Sequence, residues 1–275
     1  MSASLVLLGG ALVGAALTPT DAALSAVDAA PVAIFAARDA HGAPTGWPMT
    51  PYRDGGRAVV TSTLAFLDKT EAVRRDGRVA LLAGGWLIQG TAAVHADPSG
   101  DEFVRRFLAT ERRKYPPVES ILAVPLHRWL FDWYFGRAFM EITPRRVRAV
   151  AGSDAATLLT LDGDGLPVIT PIAAPPQDAA GWPLHTPDGA PLADLPDRRA
   201  TVLLHVEDAA MRDLRQVHLR GVVRGGAFTV ERRRGTLAPS PPRGWWTELS
   251  EQWALRRRGR AGRARIERWS DGAPR

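Results

Sequence analysis

"VVTSTLAFLDKTEAVRRDGRVAL", residues 59–81, decides the fold. It reads as a strand ending in three hydroxyl side chains, a short helical turn carrying Lys69, and a second strand that begins after "DG". Strands joined by so short a helix, with hairpin signals on either side, point to an antiparallel sheet with helices at its margins rather than to repeated βαβ units. Lys69 is also one of only two lysines among 35 basic residues, so its place just after Thr61, Ser62 and Thr63 calls for a reason.

Working outward, "PVAIFAAR" (31–38), the turn "DAHGAP" and "TGWPMTPYR" (45–53) form a hairpin, followed by "RAVVTST" (57–63). Upstream, Thr20 is placed to cap a helix over "DAALSAVDAA". Downstream come strands over "RVALLA" and residues 85–96. A helix over 99–115 follows, with Ser99 as its cap and Phe103, Phe107 and Leu108 at helical spacing, and then a strand over 137–150. The stretch "HRWLFDWYFGRAF" (127–139) reads first as an aromatic packing surface, and second as a cover for a ligand.

The second half echoes the first. Gly165 follows Gly42 by 123 residues, Leu203 follows Leu81 by 122, and Gly221 follows Gly90 by 131, with "EDAAMRDLRQ" reading as an insertion. A nearly constant offset predicts an internal duplication. The expected domains are 20–150, then a degenerate copy over 154–235, then a linker and basic tail over 236–275. In that tail Trp245, Trp246 and Trp253 are expected to pack on the body.

Apolar residues at 45% and charged residues at 23% are ordinary for a folded globular chain. The net charge of +6 favours anionic ligands, but no nucleic-acid-binding signature accompanies it. Having no cysteine, the chain has no disulfide and no thiolate chemistry. It lacks G-x-S-x-G, H-E-x-x-H, P-loop and G-x-G-x-x-G patterns, and its six histidines have no metal-ligand spacing. The apolar run Leu5 to Leu17 has no preceding positive charge and is expected to be a buried or loosely placed segment rather than an export signal, consistent with a cytoplasmic protein without membrane or nucleic-acid partners.

That leaves the opening stretch. Hydroxyls at a sheet rim with a lysine one turn later suit a phosphate, with Arg74 and Arg75 within reach; equally, these residues could form a solvated helix face.

The ordered set over 33–94, "AIFAARDAHGAPTGWPMTPYR" through "VVTST", Lys69, "RRDGRVAL" and "WLIQGTAAV", resembles the pyridoxamine 5′-phosphate oxidase-like, flavin-binding split barrels. The resemblance implies a mainly β (α+β) fold of two tandem split β-barrels packed as an intrachain pseudo-dimer, with short helices and a basic tail. It implies FMN, or alternatively deazaflavin, as cofactor, with Thr61, Ser62, Thr63, Lys69 and Arg74 toward its phosphate and Trp47, Met49 and Pro51 toward its ring. The activity implied is hydride transfer to or from a small-molecule substrate; a flavin or haem carrier and a scaffold are the other readings. The expected assembly is a monomer acting as a pseudo-dimer, or a homodimer. The second copy carries Pro191 where the first has Lys69, which predicts at most one cofactor site per chain.

Overall fold

In the computed structural model, residues 17–152, 155–176, 179–208, 211, 213–239 and 245–271 are described. Most of the apolar run Leu5 to Leu17 lies outside them; Leu17 itself is exposed. None of the described helices is long and apolar enough to cross a membrane.

The chain is mainly β, with two antiparallel sheets and peripheral helices. After helix α1 (Pro19–Ala29), the first sheet takes strands β1 (Ala33–Arg38), β2 (Pro44–Met49), β3 (Pro51–Asp54), β4 (Arg57–Thr63), β5 (Arg78–Ala83), β6 (Trp86–Asp97) and β7 (Arg137–Ala149). Their order across the sheet is β2-β1-β5-β6-β7-β4-β3. The single strand expected over 45–53 is thus two strands at opposite edges with only Thr50 between them. Because consecutive Cα atoms are about 3.8 Å apart, the sheet must curl until its edges meet at this corner.

Between β4 and β5 lie a 3-10 turn (Leu64–Phe66) and helix α2 (Asp68–Arg75). Between β6 and β7 lie α3 (Asp101–Arg106), α4 (Leu108–Lys114), α5 (Val118–Leu122), α6 (His127–Leu130) and α7 (Asp132–Phe135). The helix expected over 99–115 therefore breaks at Phe107. Its first turn is held by Asp97, whose carboxylate accepts from the N–H groups of Gly100, Glu102 and Phe103, while Ser99 accepts only from Asp101. A carboxylate can take several N–H donors at once, and so outcompetes the nearer hydroxyl. For α1 the capping hydroxyl is Thr18, not Thr20: Pro19 fits the first helical turn, so the cap falls one residue before it.

The second sheet comprises β8 (Ala156–Leu161), β9 (Pro167–Pro171), β10 (Gly181–Pro183), β11 (Arg198–Val206), β12 (Arg215–Arg224) and β13 (Ala227–Thr236), in the order β10-β13-β12-β11-β8-β9. Read from the other edge this is the order of the first sheet, with β10 in the place of β4 and β3. The likeness reaches a detail of register. The β6–β7 ladder bulges between Gln89 and Gly90, and the β12–β13 ladder between Arg220 and Gly221. A Cβ on Gly90 would lie 2.1 Å from the Thr143 carbonyl oxygen and one on Gly221 1.9 Å from that of Thr229, so both bulges require glycine.

Why the strands read as nearly continuous apolar runs is clear from their packing. Phe35, Ala37, Val79 and Leu81 face the first core, whereas Ile34, Ala36, Ala80 and Leu82 on the same strands meet Leu159, Ile169 and Leu203 of the second sheet. Burial on both faces removes the polar alternation of a half-solvated strand. Across the seam Thr201 Oγ1 donates to the Pro44 carbonyl at 2.7 Å and Gln89 Nε2 to that of Pro167 at 2.8 Å, satisfying polar groups that burial would otherwise leave unpaired. A third cluster, around Phe103, Phe107, Trp133, Tyr134, Phe135 and Phe139, makes the aromatic stretch mostly a packing surface.

Helix α8 (Trp245–Asp271) closes the described chain. Its inner side packs through Leu255, Gly259, Gly262 and Ile266 on the 3-10 turn and α7. Trp245, Trp246 and Trp253 do not pack on the body as expected but are 53–66% exposed.

Candidate functional site

Two cavities meet around Lys69. The larger, about 790 Å³, lies between α2, the face of β12 and β13, and α8. The smaller, about 370 Å³, lies behind the end of β4. Lys69 and Phe66 line both.

Strand β4 delivers Thr61, Ser62 and Thr63 to the smaller cavity, and each hydroxyl has a different fate. Thr61 Oγ1 accepts from Arg137 at 3.3 Å, and Ser62 donates to the Phe66 carbonyl, which fixes the 3-10 turn. Thr63 Oγ1 is buried without a partner, as is Arg137 Nε. Beneath them lies a buried network in which Glu111 accepts from Tyr52, from Tyr134 at 2.6 Å and from Arg137 at 3.3 Å. Burial, reinforced by the Glu111 charge, pushes the Tyr52 phenol well up, so it stays a donor. The other lysine, Lys114, is structural: it donates to the Val27 and Pro51 carbonyls at 2.7 Å each, and burial pulls it down to about 8.

Lys69 is different. It sits in the first turn of α2, is half-buried, and forms no hydrogen bond or ion pair with any described residue. Burial, and secondarily Arg137, pulls its ammonium down to about 8, with Asp68 opposing the shift. An amine in that state gains most from an anion, which would restore its charge. Leu67, at the N-cap, offers no side chain to the first turn of α2 either, so the positive end of the helix adds to the same field.

The larger cavity is lined by seven cationic side chains against two carboxylates: Lys69, Arg75, Arg220, Arg232, Arg234, Arg258 and Arg265, with Asp39 and Asp68. Asp39 pairs with Arg220 at 2.9 Å, and Arg265 reaches Asp68 at 3.4 Å and Glu71 at 3.2 Å. The other five make no ion pair among the described residues. His218 stands among them, pulled down to about 4 by burial and by Arg220 and Arg234, and is neutral near pH 7.

Of the residues expected from the sequence, Thr61, Ser62, Thr63, Lys69 and Met49 line the smaller cavity, and Trp47, with Lys69, lines the larger. Trp47 also stacks on Phe35, with centroids 6.3 Å apart, and Met49 belongs to the first core. Arg74 is drawn away: it lies 4.3 Å over the Trp269 ring, and Arg75 lines the cavity in its stead. Gln216, His218, Arg220, Arg232 and Arg234 escaped the sequence reading. Their signal was the polar alternation of "QVHLR" in β12, where 216, 218 and 220 share one face. Pro191, at the matching place in the second half, bridges His185 in a turn and lines neither cavity. Among the described residues no cluster of histidine and carboxylate side chains could hold a metal ion.

No family model and no curated protein matches the chain. Solved structures that match about half of this chain resemble that part of it in fold. A pyridoxamine 5′-phosphate oxidase-like protein of Listeria innocua is 21% identical over 49% of this chain and 100% of its own, with a TM-score of 0.35. An F420 reductase is 15% identical over 45% of this chain and 94% of its own, with a TM-score of 0.33. A general stress protein 26 relative of Clostridium acetobutylicum, of the pyridoxinephosphate oxidase family, is 11% identical over 46% and 83%, also at 0.33.

Proposed function

We propose that the chain is a flavin- or deazaflavin-dependent oxidoreductase whose cofactor lies along the two cavities, with its phosphate at Lys69. The observation that carries this reading is the unpartnered Lys69 ammonium at the wall common to both cavities, beside an unsatisfied Thr63 hydroxyl and an unsatisfied Arg137 Nε. These are the donors a phosphate needs, and the volume of the larger cavity falls in the usual range for small-molecule sites. When bound, FMN or deazaflavin supplies the hydride chemistry that no side chain here can.

The protein's own part is binding, orientation and electrostatics. Lys69 and Thr63 hold the anionic end, Trp47 and Met49 offer apolar surface to a ring, and the arginines of β12, β13 and α8 draw anions in and raise their local concentration. The second sheet then occupies the place of a partner subunit: it completes the site, and its matching strand order and bulge support a duplicated, pseudo-dimeric origin.

Mass spectrometry of the small molecule that copurifies with the chain, followed by reduction with NADPH or another hydride donor, tests the reading. A bound flavin or deazaflavin that is reduced supports the enzyme; a bound cofactor inert to every donor supports a carrier. A chain that binds neither FMN nor deazaflavin contradicts both.

A further inference from the structure

Opposite its packed side, α8 bares an unusual surface. By the 3.6-residue repeat, Trp246, Leu249, Trp253 and Arg260 share the outer side of the helix, away from Leu255, Gly259, Gly262 and Ile266. Trp245 lies at the edge of that stripe and stacks on Trp246 with centroids 3.5 Å apart. The loop before α6 extends the patch. There Leu126 holds a left-handed backbone (φ 59°) that a branched side chain rarely adopts, and within α6 Trp129 is joined to Trp253 by the Arg256 guanidinium, 4.5 Å and 5.5 Å from their rings.

These six apolar side chains are 44–75% exposed, far more than scattered surface hydrophobics require. Further along the same side Arg257, Arg260 and Arg268 are exposed, with Glu267 among them. Aromatic rings in one zone and guanidinium groups in the next match a lipid interface, where indoles sit at headgroup depth and arginines meet lipid phosphates. A nucleic acid would want the charge without the continuous apolar zone, and a second copy of this chain packed in parallel would bring arginine against arginine.

We propose that the outer side of α8, with Leu126 and Trp129, docks on an anionic phospholipid surface. The helix lies on the bilayer and does not enter it, in keeping with the absence of a membrane-crossing helix among the described residues. This departs from the soluble, partner-free surface expected from composition, and it stands whether or not a flavin binds.

Cosedimentation of the full chain with vesicles tests it. Phosphatidylcholine vesicles containing phosphatidylglycerol should carry the protein down and shift its tryptophan emission to the blue; phosphatidylcholine alone should not. Trp245→Ser with Trp253→Ser should abolish the binding. Arg257→Gln with Arg260→Gln should weaken it about 25-fold, at about fivefold for each arginine near an anionic surface. All four positions are exposed, so circular dichroism should stay unchanged. No binding to the anionic vesicles, equal binding to neutral ones, or binding unaltered in the tryptophan variant overturns the proposal. So does a concentration-dependent dimer that shields the tryptophans, because the patch would then serve a second copy.

Discussion

Arg220 on β12 and Arg232 on β13 stand directly opposite each other across an antiparallel ladder, and both line the larger cavity. Two positions along the ladder, on the same face, His218 faces Arg234. Like charges at opposed positions oppose folding, each by a few tenths to about 1 kcal/mol. Among the described residues, only Arg220 of these has a carboxylate partner, Asp39. In the proposed function, the bound anion relieves this repulsion. Arg232→Gln should therefore stabilise the unliganded chain by about 0.2–1 kcal/mol and weaken FMN or deazaflavin about tenfold or more. Thermal melts with and without ligand check the two signs together.

The acid–base state of the site gives a pH profile. Lys69, pulled down to about 8, loses its charge as pH rises through that value, so affinity for a phosphate should fall between pH 7 and 9. The same shift opposes folding of the empty chain below about pH 8, and that penalty fades as pH rises toward the ordinary lysine value of 10.5. Lys69→Arg should flatten the binding profile. His218 acts in the other direction: it is neutral at pH 7, and a neighbouring anion favours its protonation. Affinity of the parent chain should gain on that of His218→Gln as pH falls from 7 toward 4, as read by titration calorimetry of both chains across that range, where the ligand's own protonation is common to both.

Packing of α8 on the body depends on glycine at Gly259 and, most tightly, at Gly262. A Cβ at Gly262 would lie 2.0 Å from the Leu64 carbonyl oxygen, a backbone atom that cannot swing aside. Gly262→Ala should cost about 1–3 kcal/mol and loosen the helix. Limited proteolysis should then cut before α8 faster in the variant, and the cavity should lose the contributions of Arg258 and Arg265.

Beneath the site, Glu111 neutralises Arg137 in a pair whose side chains are 4% and 6% exposed. Glu111→Leu leaves a buried guanidinium without its counter-charge and strips the acceptor from Tyr52 and Tyr134, a loss of about 3–5 kcal/mol. A fall in Tm on the order of 10 °C follows for a chain of this size.

Much of the fold was legible because local signals and tertiary demands agreed. The strand, helix and strand of residues 59–81 fall where the sequence puts them, and Gly90 and Gly221, aligned by offset alone, occupy equivalent bulges. The break at Thr50 was not legible, since it reflects curling of the whole sheet rather than anything local. Half of the candidate site escaped for a similar reason. Lys69 stood out by its rarity, but Arg232 and Arg234 are ordinary members of an arginine-rich strand until β12 and β13 turn that face toward α2. Arg74 and Arg75 are adjacent in sequence, and only the position of Trp269, almost two hundred residues away, decides which of them reaches the cavity.

The central claim is that the Lys69 ammonium holds the anionic end of a flavin-type cofactor. Titration of FMN, and of deazaflavin, into the full chain and into Lys69→Ala at pH 7 tests it most directly. Loss of one charge-assisted contact, about 1.5–3 kcal/mol, predicts a Kd about ten- to a hundredfold weaker in the variant; an unchanged Kd for the cofactor that binds would contradict the account.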